Sequence, residues 1–463
     1  MKYCFLFLLS LPLHAALSPD MVKESALKYH PTVISALERM RAGEEAVKGA
    51  TGAFDMKAVS DYRRQTKHDY NITISRSFLV KPLRIANSKI YAGAEQISNP
   101  LGRLSPVYNT GNPATTNQAG NYSVLGFQLS LWKNLTLDPN RAALKNAKYD
   151  ATMAKAEKRL TELDIGRFGQ LAYWEWVTAR KVKDAYQELL KNGETRNEYL
   201  TARQKRGDIA QILVTENEQY IAARKGSLQS TLERLIRAEY ALSLFYRDQK
   251  GEPIVPAQEE TFEDYPAKLG ALLENLDLTS NVDELINKRP DMKNLALTVD
   301  KTEVDLELAK QDLRPQVDVT TEYYKRTVAN PNMPLDYLMV LAQVSVPIER
   351  NLGNGNIAAA RARRMVAQSQ MALGQQTYKY DILALRQALK FQLEQVTQSE
   401  IEFTKAKELV TSETYKFQKG GGNLFLVNLR EEAQVRAEAS FHEARLAFMD
   451  TLLTYQSLVS TGE

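Results

Sequence analysis

Two long stretches of the chain contain no proline, residues 140–252 and 348–463, and hydrophobic residues in the second recur at mixed intervals of three and four. The clearest series is Ile382, Leu385, Leu389, Leu393 and Val396, with polar residues between them. This spacing predicts helices that pack as in a coiled coil. Glycine often marks a helix end, and Gly207 and Gly420–Gly422 interrupt the stretches past their middle. Each stretch therefore predicts two long helices joined by a tight turn, with Gly193 as a rival position for the first turn.

Shorter stretches alternate hydrophobic and polar residues, which predicts β-strands. They are Gln316–Arg326, Asp336–Val346 and Gly126–Trp132, and a fourth strand is expected within Met56–Gly93. Such alternation is typical of strands with one face to lipid and one to a wet lumen, and equally of an ordinary soluble sheet. Because about eight strands are needed to enclose an interior, a barrel would require several copies of this chain.

The chain contains an internal repeat. Leu27 and Pro31 match Ile286 and Pro290 at an offset of 259 residues, but further along Gly207 matches Gly422 at an offset of 215. The difference of 44 residues predicts extra material between the strands of the first half, at about residues 67–120. Its prolines and polar residues predict a long exposed loop there.

The N-terminus predicts a secretory signal peptide. Met1-Lys2 is followed by the apolar run Tyr3–Leu13 and by small residues, so cleavage is expected near Ala16. The single cysteine, Cys4, lies inside this run, which predicts a mature chain without disulfides or a lipid anchor. No downstream stretch is long and apolar enough to predict a membrane-spanning helix.

Composition and candidate chemistry give no sign of an enzyme. A net charge of +4, spread evenly, does not predict nucleic-acid binding. The four histidines are scattered, so no catalytic or metal site is expected. Gly353-Asn354-Gly355 lacks the third glycine of a dinucleotide site, and no cofactor is expected.

Three motifs, in this order and spacing, carry a resemblance to a known family. They are Gly207-Asp208-Ile209, residues 287–291 (NKRPD), and Phe417 with Gly420 followed by residues 423–431 (NLFLVNLRE). Together with the repeated order of helix, strands and long hairpin, they make the chain similar to TolC-type outer-membrane efflux proteins. The similarity covers essentially the whole mature chain.

The resemblance implies a mixed α/β membrane protein of a Gram-negative outer membrane, with an internal duplication. It implies a homotrimer in which each chain gives four strands to a twelve-stranded β-barrel and its helices to a long periplasmic helical barrel. The expected segments are 1–16 signal peptide, 17–54 N-terminal helices, 55–136 first β-hairpin with a long loop, 137–248 first helical hairpin, 249–281 linker, 282–314 helices of the second repeat, 315–349 second β-hairpin and 350–463 second helical hairpin.

Two groups of residues are the candidate site. The hairpin tips are expected to dock partners because apolar side chains beside the turns would otherwise meet water. The tip residues are Gly207, Asp208, Ile209, Gly420, Gly421, Gly422, Asn423, Leu424 and Phe425. The resemblance implies a pore constriction nearby, at Asn428, Arg430 and Glu431. Family members often carry acidic rings there, whereas this chain has an arginine between an asparagine and a glutamate.

The leading hypothesis is a passive exit duct of a tripartite efflux pump or a type I secretion system. The resemblance implies that it opens when a periplasmic adaptor protein and an inner-membrane transporter dock at the tips. The alternative is a structural periplasmic coiled-coil or adhesin-like protein with a small soluble sheet. The sequence does not define the cargo.

Overall fold

The computed structural model describes residues 16–67, 70–98, 120–257, 260–274, 276, 278–327 and 336–460. The predicted signal peptide up to Ala15, residues 68–69 and 99–119 of the predicted exposed loop, and the turn at 330–332 lie outside these residues. The helices are α1 (Pro19–Tyr29), α2 (Pro31–Thr51), α3 (Pro139–Lys205), α4 (Gln211–Ser243), α5 (Leu269–Glu274), α6 (Val282–Asn287), α7 (Pro290–Gln311), α8 (Asn351–Gln418) and α9 (Leu424–Val459), with a 3₁₀ turn at Gly52–Phe54. The strands are β1 (Lys57–Lys67), β2 (Tyr70–Pro82), β3 (Lys89–Ser98), β4 (Gly120–Ser130), β5 (Gln316–Arg326) and β6 (Tyr337–Ser345).

The two long helical hairpins are confirmed. Helix α3 has 67 residues and α8 has 68, and each is followed after a short turn by a shorter helix, α4 or α9. Gly193 lies inside α3, so the first turn is at Gly207 and not at the rival position. The order of helices, strands and long hairpin occurs twice, which agrees with the predicted duplication. None of the helices in the described ranges carries an apolar segment long enough to cross a membrane.

The six strands form one antiparallel sheet in chain order, β1 to β6. The number of strands predicted for one chain therefore has to be corrected from four to six among the described residues. All of β2 and β3 lies in the part of the first half that was expected to be loop. The charged Arg76 interrupts the apolar positions of β2, and β3 is built around Ala92-Gly93-Ala94, so neither strand has strong alternation in the sequence.

The two faces of the sheet differ in burial. On one face, here called the inner face, a cluster of Ile72, Ile74, Ile97, Tyr122, Val124 and Tyr324 is buried. The inner face also holds charge, because Arg76 contacts Glu95 at 3.1 Å and the side chain of Glu95 is only 1% exposed. The residues between these, on the outer face, are mostly exposed along β3, β4 and β6. The alternation seen in the sequence therefore corresponds to an exposed outer face and a packed inner face.

The described chain divides into two compact units, residues 1–38, 156–293 and 374–463 in one, and 39–155 and 294–373 in the other. In the first unit the linker is held against α3 by aromatic rings. Tyr265 stacks on Trp174 at 4.6 Å between centroids, and its hydroxyl lies 2.6 Å from that of Thr178. The Tyr173 hydroxyl lies 2.8 and 2.6 Å from the backbone oxygens of Leu17 and Glu263 and shares its single hydrogen between them. The described part of the linker is thus ordered by packing, although α5, the one helix in that part, has only six residues.

A buried histidine lies in the same unit. His442 on α9 is 7% exposed, and its Nδ1 atom has no hydrogen-bond partner. Burial, with smaller effects from Lys181 and Arg445, lowers the pKa of His442 to about 4, against opposing effects of Asp264 and Glu443. The folded chain therefore holds this imidazole neutral.

The first prediction concerns acid stability. Because the folded pKa of His442 lies below the unfolded value, its contribution to stability is complete above about pH 6.5 and is lost as the pH falls toward 4. The loss at pH 5 should be roughly 2 kcal/mol. We expect His442→Phe to reduce the drop in melting temperature between pH 7 and pH 5, measured on the full-length protein in detergent. His30→Gln is the control and should leave most of the drop in place. An unchanged drop in His442→Phe would contradict the assignment.

Candidate functional site

The two long hairpins turn with the same backbone geometry. Gly207 has φ +82° and Gly420 has φ +80°, the left-handed conformation that favours glycine. After α3, the amide of Asp208 donates to the oxygen of Arg203 and that of Gly207 to Gln204. After α8, the amides of Gly421 and Gly420 donate to the oxygens of Lys416 and Phe417. Both ends are Schellman motifs, in which the amides of the turn glycine and of the residue after it satisfy two of the last free carbonyls of the helix.

The structural equivalent of Gly207 is therefore Gly420. This corrects the predicted match to Gly422 and shortens the repeat offset at the turns by two residues. Gly422 has a different role, since a Cβ atom there would lie 2.6 Å from the Phe417 nitrogen. Gly421 has only one atom within 4 Å of such a Cβ, at 3.9 Å. One left-handed glycine and one close contact therefore distinguish the roles of the three consecutive glycines.

An apolar cluster joins the two turns. Leu200, Val214 and Leu424 are buried together, and Ile209, Leu213 and Phe417 pack against them partly buried. Two of the predicted tip residues, Ile209 and Leu424, therefore help to hold the turns to each other rather than face solvent.

Three apolar side chains near the turns remain exposed. Ile212 is 71% exposed, Phe425 50% and Leu429 45%. Asp208 is also exposed and lies 3.4 Å from Arg206. Exposed apolar side chains beside a charged pair are typical of a surface that binds another protein.

The start of α9 orients these side chains. The Asn423 side-chain oxygen accepts the amide hydrogen of Phe425 at 2.9 Å, which caps the helix. Because Leu424 and Phe425 are consecutive residues of a helix, they point in different directions, and only Leu424 reaches the cluster. The cap therefore fixes Phe425 on the exposed side.

A buried ion cluster lies near the turns, among helices α3, α4 and α9. The Glu431 carboxylate accepts hydrogen bonds from Arg196 on α3 and from Arg224 on α4, the latter at 3.0 Å. The Asn428 side-chain oxygen accepts from the same two arginines at 2.7 and 3.1 Å. The guanidinium of Arg224 also donates to the Leu189 oxygen at 3.2 Å. The cluster thus links three helices of the two hairpins.

The position of Gly193 makes room for this cluster. A Cβ atom on Gly193 would lie 2.7 Å from a guanidinium nitrogen of Arg224. The side chain of the buried Asn217 donates to the Gly193 oxygen and to the Asn197 side-chain oxygen, both at 3.1 Å. Burial lowers the pKa of Arg224, although Glu431 opposes this by favouring the charged form.

The predicted constriction residues are placed differently from expectation. Asn428 is fully buried and Glu431 is 7% exposed, so the assignment of these two as pore-lining residues has to be corrected: neither is open to solvent in the chain. The carboxylate of Glu431 is neutralised by two arginines, which leaves no free negative charge there. Arg430 is partly exposed and is the one predicted constriction residue that reaches the surface.

Sequence reasoning missed Arg196 and Arg224, which lie more than 200 residues from their partners. One signal was available. A glycine inside a long helix often marks a close approach of another group, and Gly193 does so for Arg224. Among the described residues, no cluster of histidine, cysteine, aspartate or glutamate side chains could hold a metal ion.

No protein-family model and no curated protein sequence matches the chain. Solved structures do. The outer membrane protein VceC of Vibrio cholerae is 16% identical, with a TM-score of 0.68 over 96% of this chain and 97% of that one. The CmeC outer membrane channel of Campylobacter jejuni is 11% identical, with a TM-score of 0.68 over 96% and 86%. The open state of the MtrE outer membrane channel of Neisseria gonorrhoeae is 14% identical, with a TM-score of 0.66 over 96% and 89%.

These comparisons define the class of fold. The chain has the fold of the outer-membrane channels, along nearly its whole length and theirs. The predicted mixed α/β class, with long helical hairpins and an antiparallel sheet, is thereby confirmed.

The second prediction concerns the ion cluster. Glu431→Gln would leave two buried arginines without their anionic partner, so we expect it to destabilise the protein by about 3–5 kcal/mol. Glu432→Gln is the matched control because Glu432 is next in sequence and pairs with Arg436, at 3.5 Å, in a more exposed ion pair. It should cost less than about 1 kcal/mol.

Thermal unfolding of the purified protein in detergent measures both variants. Replacing the whole cluster, with Arg196→Met, Arg224→Met and Glu431→Leu, should recover much of the loss. Equal melting temperatures for Glu431→Gln and Glu432→Gln would show that the cluster does not stabilise the hairpins.

Proposed function

We propose that this chain is an outer-membrane channel of a Gram-negative bacterium, a passive exit duct that works as a homotrimer. In this proposal an adaptor protein and an inner-membrane transporter supply the energy, as part of a tripartite efflux pump or a type I secretion system. The observation that carries the proposal is the exposed apolar outer face of the sheet, on a chain with the fold of known outer-membrane channels.

The outer face is suited to lipid. Its largest exposed apolar side chains on β4 and β6 are Leu125, Phe127, Leu338, Val340 and Val344. The opposite face packs an apolar cluster together with the buried Arg76–Glu95 ion pair, so the outer face is apolar in addition to a packed inner face, whereas the outer face of a half-solvated sheet is polar. Strands β4, β5 and β6 have 11, 11 and 9 residues, which matches the roughly 9–11 residues that cross a hydrocarbon core.

The hairpin turns are suited to a protein partner. Ile212, Phe425 and Leu429 are exposed beside two turns that the shared apolar cluster holds together. A surface of this kind is pre-organised, so little conformational entropy is lost when a partner binds. The adaptor protein is the proposed partner of this surface.

The third prediction tests the location and the assembly. We expect the protein to stay with the outer membrane through salt and urea washes, to require detergent for extraction, and to be crosslinked as a trimer. A deletion strain should become more sensitive to toxic compounds or lose secreted proteins, and the intact gene should restore the phenotype. Recovery of the processed protein in the periplasm without detergent would support the structural coiled-coil alternative instead.

The fourth prediction tests docking at the turns. Phe425→Asp places a charge in the apolar surface and should reduce adaptor binding by at least about tenfold, while the yield of trimer stays unchanged. Phe425→Leu keeps an apolar side chain and is the control. Binding is measured by crosslinking from a cysteine at Asp208, whose side chain is exposed and whose backbone amide alone takes part in the end of α3. Equal adaptor capture with aspartate and leucine at position 425 would exclude this surface as the docking site.

A further inference from the structure

Both edges of the described sheet are open. Within that sheet β1 pairs with β2 alone and β6 with β5 alone, so each of these two strands leaves one row of backbone amides and carbonyls free. We propose that β1 of one copy pairs antiparallel with β6 of the next, so that three copies of six strands close a barrel of eighteen. The inference rests on the proposed membrane homotrimer and replaces the twelve strands that the family resemblance implies.

The free edge of β6 needs a partner. Residues 337–345 include no charge and no proline, and Leu338, Val340 and Val344 are exposed. A strand edge without such protection pairs readily with another strand. Unpaired backbone groups are also costly in lipid, so a sheet that lies there has to be closed.

The strand available to pair with β6 is β1. The edge of β3 is occupied by β2 through ten consecutive residue pairs, from Thr73–Ser98 to Pro82–Lys89. A closure with four strands from each copy would require this whole ladder to open. With six strands, an even number, β1 and β6 remain antiparallel where two copies meet.

The β1–β2 hairpin is held firmly in the sheet. Ile72 of β2 belongs to the buried cluster of the inner face, and Arg76 pairs with Glu95 on β3 at 3.1 Å. The Phe78 ring lies across Gly93, where a Cβ atom would be 2.7 Å from it. Backbone pairing, packing and charge thus join the hairpin to the other four strands.

The six strands are staggered as in a tilted barrel. The midpoint of β1, Tyr62, lies four residues from the row of Ala58, towards the turn into β2. The midpoint of β6, Leu341, lies three residues from the same row in the opposite direction, towards α8. The strands therefore slide by about 1.4 residues per step, a tilt of about 45°, close to that of known barrels. The row itself consists of Ala58, Leu79, Ala92, Leu125, Tyr323 and Leu338.

The same stagger gives the register between copies. One further step of about 1.4 residues beyond Leu341 places Tyr62 of the next copy beside Ala342 or Gln343. Tyr62 and Ala342 lie on the outer face and Gln343 on the inner face, so Tyr62 pairs with Ala342. In this register all nine residues of β6 have a partner on β1.

The charges of the outer face agree with six membrane strands. Among the described strands the charged outer residues are Arg64, Lys81 and Lys325. Arg64 is three residues from the end of β1, and Lys81 and Lys325 are each one residue from the end of their strand. Charges that face lipid are costly at mid-depth and tolerated near the interfaces. Because barrel diameter grows with strand number, the channel would be about half as wide again as one of twelve strands.

Disulfide crosslinking tests the closure. Tyr62→Cys and Ala342→Cys are combined in a full-length chain that carries Cys4→Ser, and the outer-membrane fraction is oxidised mildly. We expect most of the protein to run as covalent dimers and trimers on non-reducing gels. The adjacent pair, Asp61→Cys with Gln343→Cys, covers the alternate geometry of an antiparallel ladder. Each single-cysteine variant is a control and should not link copies.

A matched pair tests the twelve-stranded alternative. Ala94 lies on the outer face near the midpoint of β3, as Tyr62 does on β1. Ala94→Cys with Ala342→Cys should therefore link copies only if β3 meets β6. Linkage by this pair, and not by Tyr62→Cys with Ala342→Cys, would overturn the inference and leave the proposed function intact. Electron cryo-microscopy of the trimer in lipid counts the strands independently: eighteen supports the inference and twelve overturns it.

The remaining outcomes separate the inference from the proposed homotrimer. If no cysteine pair links copies while an amine-reactive crosslinker still captures trimers, the six-strand closure is overturned and the trimer stands. If neither reagent captures any trimer in the membrane, the proposed homotrimer itself is overturned.

Discussion

The arrangement of the helical hairpins depends on one buried carboxylate. Glu431 on α9 is held between Arg196 on α3 and Arg224 on α4, so a single side chain fixes three helices. Long helices packed through repetitive apolar stripes can slide by a turn at little cost, because each register buries similar side chains. A buried charge has a partner in only one register. We infer that the ion cluster specifies the alignment of the hairpins, a role for which polar groups in coiled coils are known, more than it adds stability.

The burial of the Arg224 guanidinium in this cluster explains the positions of Gly193 and Asn217. Gly193 removes the side chain that would collide with Arg224, and Asn217 occupies the Gly193 oxygen. Asn428 completes the set by accepting from both arginines. A glycine in a helix interior costs about 1 kcal/mol relative to alanine. Gly193 nevertheless lies in the interior of α3, because it leaves room for the Arg224 guanidinium. That guanidinium is buried with most of its hydrogen bonds formed.

The sequence predicted the features that depend on residues close to one another in the chain. Proline-free stretches, apolar spacing and glycine predicted both hairpins, and the repeat placed the first turn at Gly207 rather than Gly193. Strands β2 and β3 were missed because Arg76 and the small residues of β3 obscure the alternation, and their pairing is set by neighbours in the sheet. The ion cluster could not be predicted, since the pairing of Glu431 with Arg196 joins residues 235 apart in the chain. The prediction that Glu431 is a free charge lining the pore had to be corrected for the same reason, since both of its arginine partners are distant in the sequence.

Local and distant contacts also determine which apolar residues at the turns are buried and which are exposed. Leu424 and Phe425 are neighbours of similar hydrophobicity, and the sequence gives no basis to distinguish them. The cap at Asn423 fixes the direction in which the helix starts, and the cluster with Leu200 and Val214 then buries Leu424. Phe425 is exposed as a consequence of these two contacts. The exposed surface is therefore fixed by the interior of the turns, and a partner that binds there would meet side chains already in place.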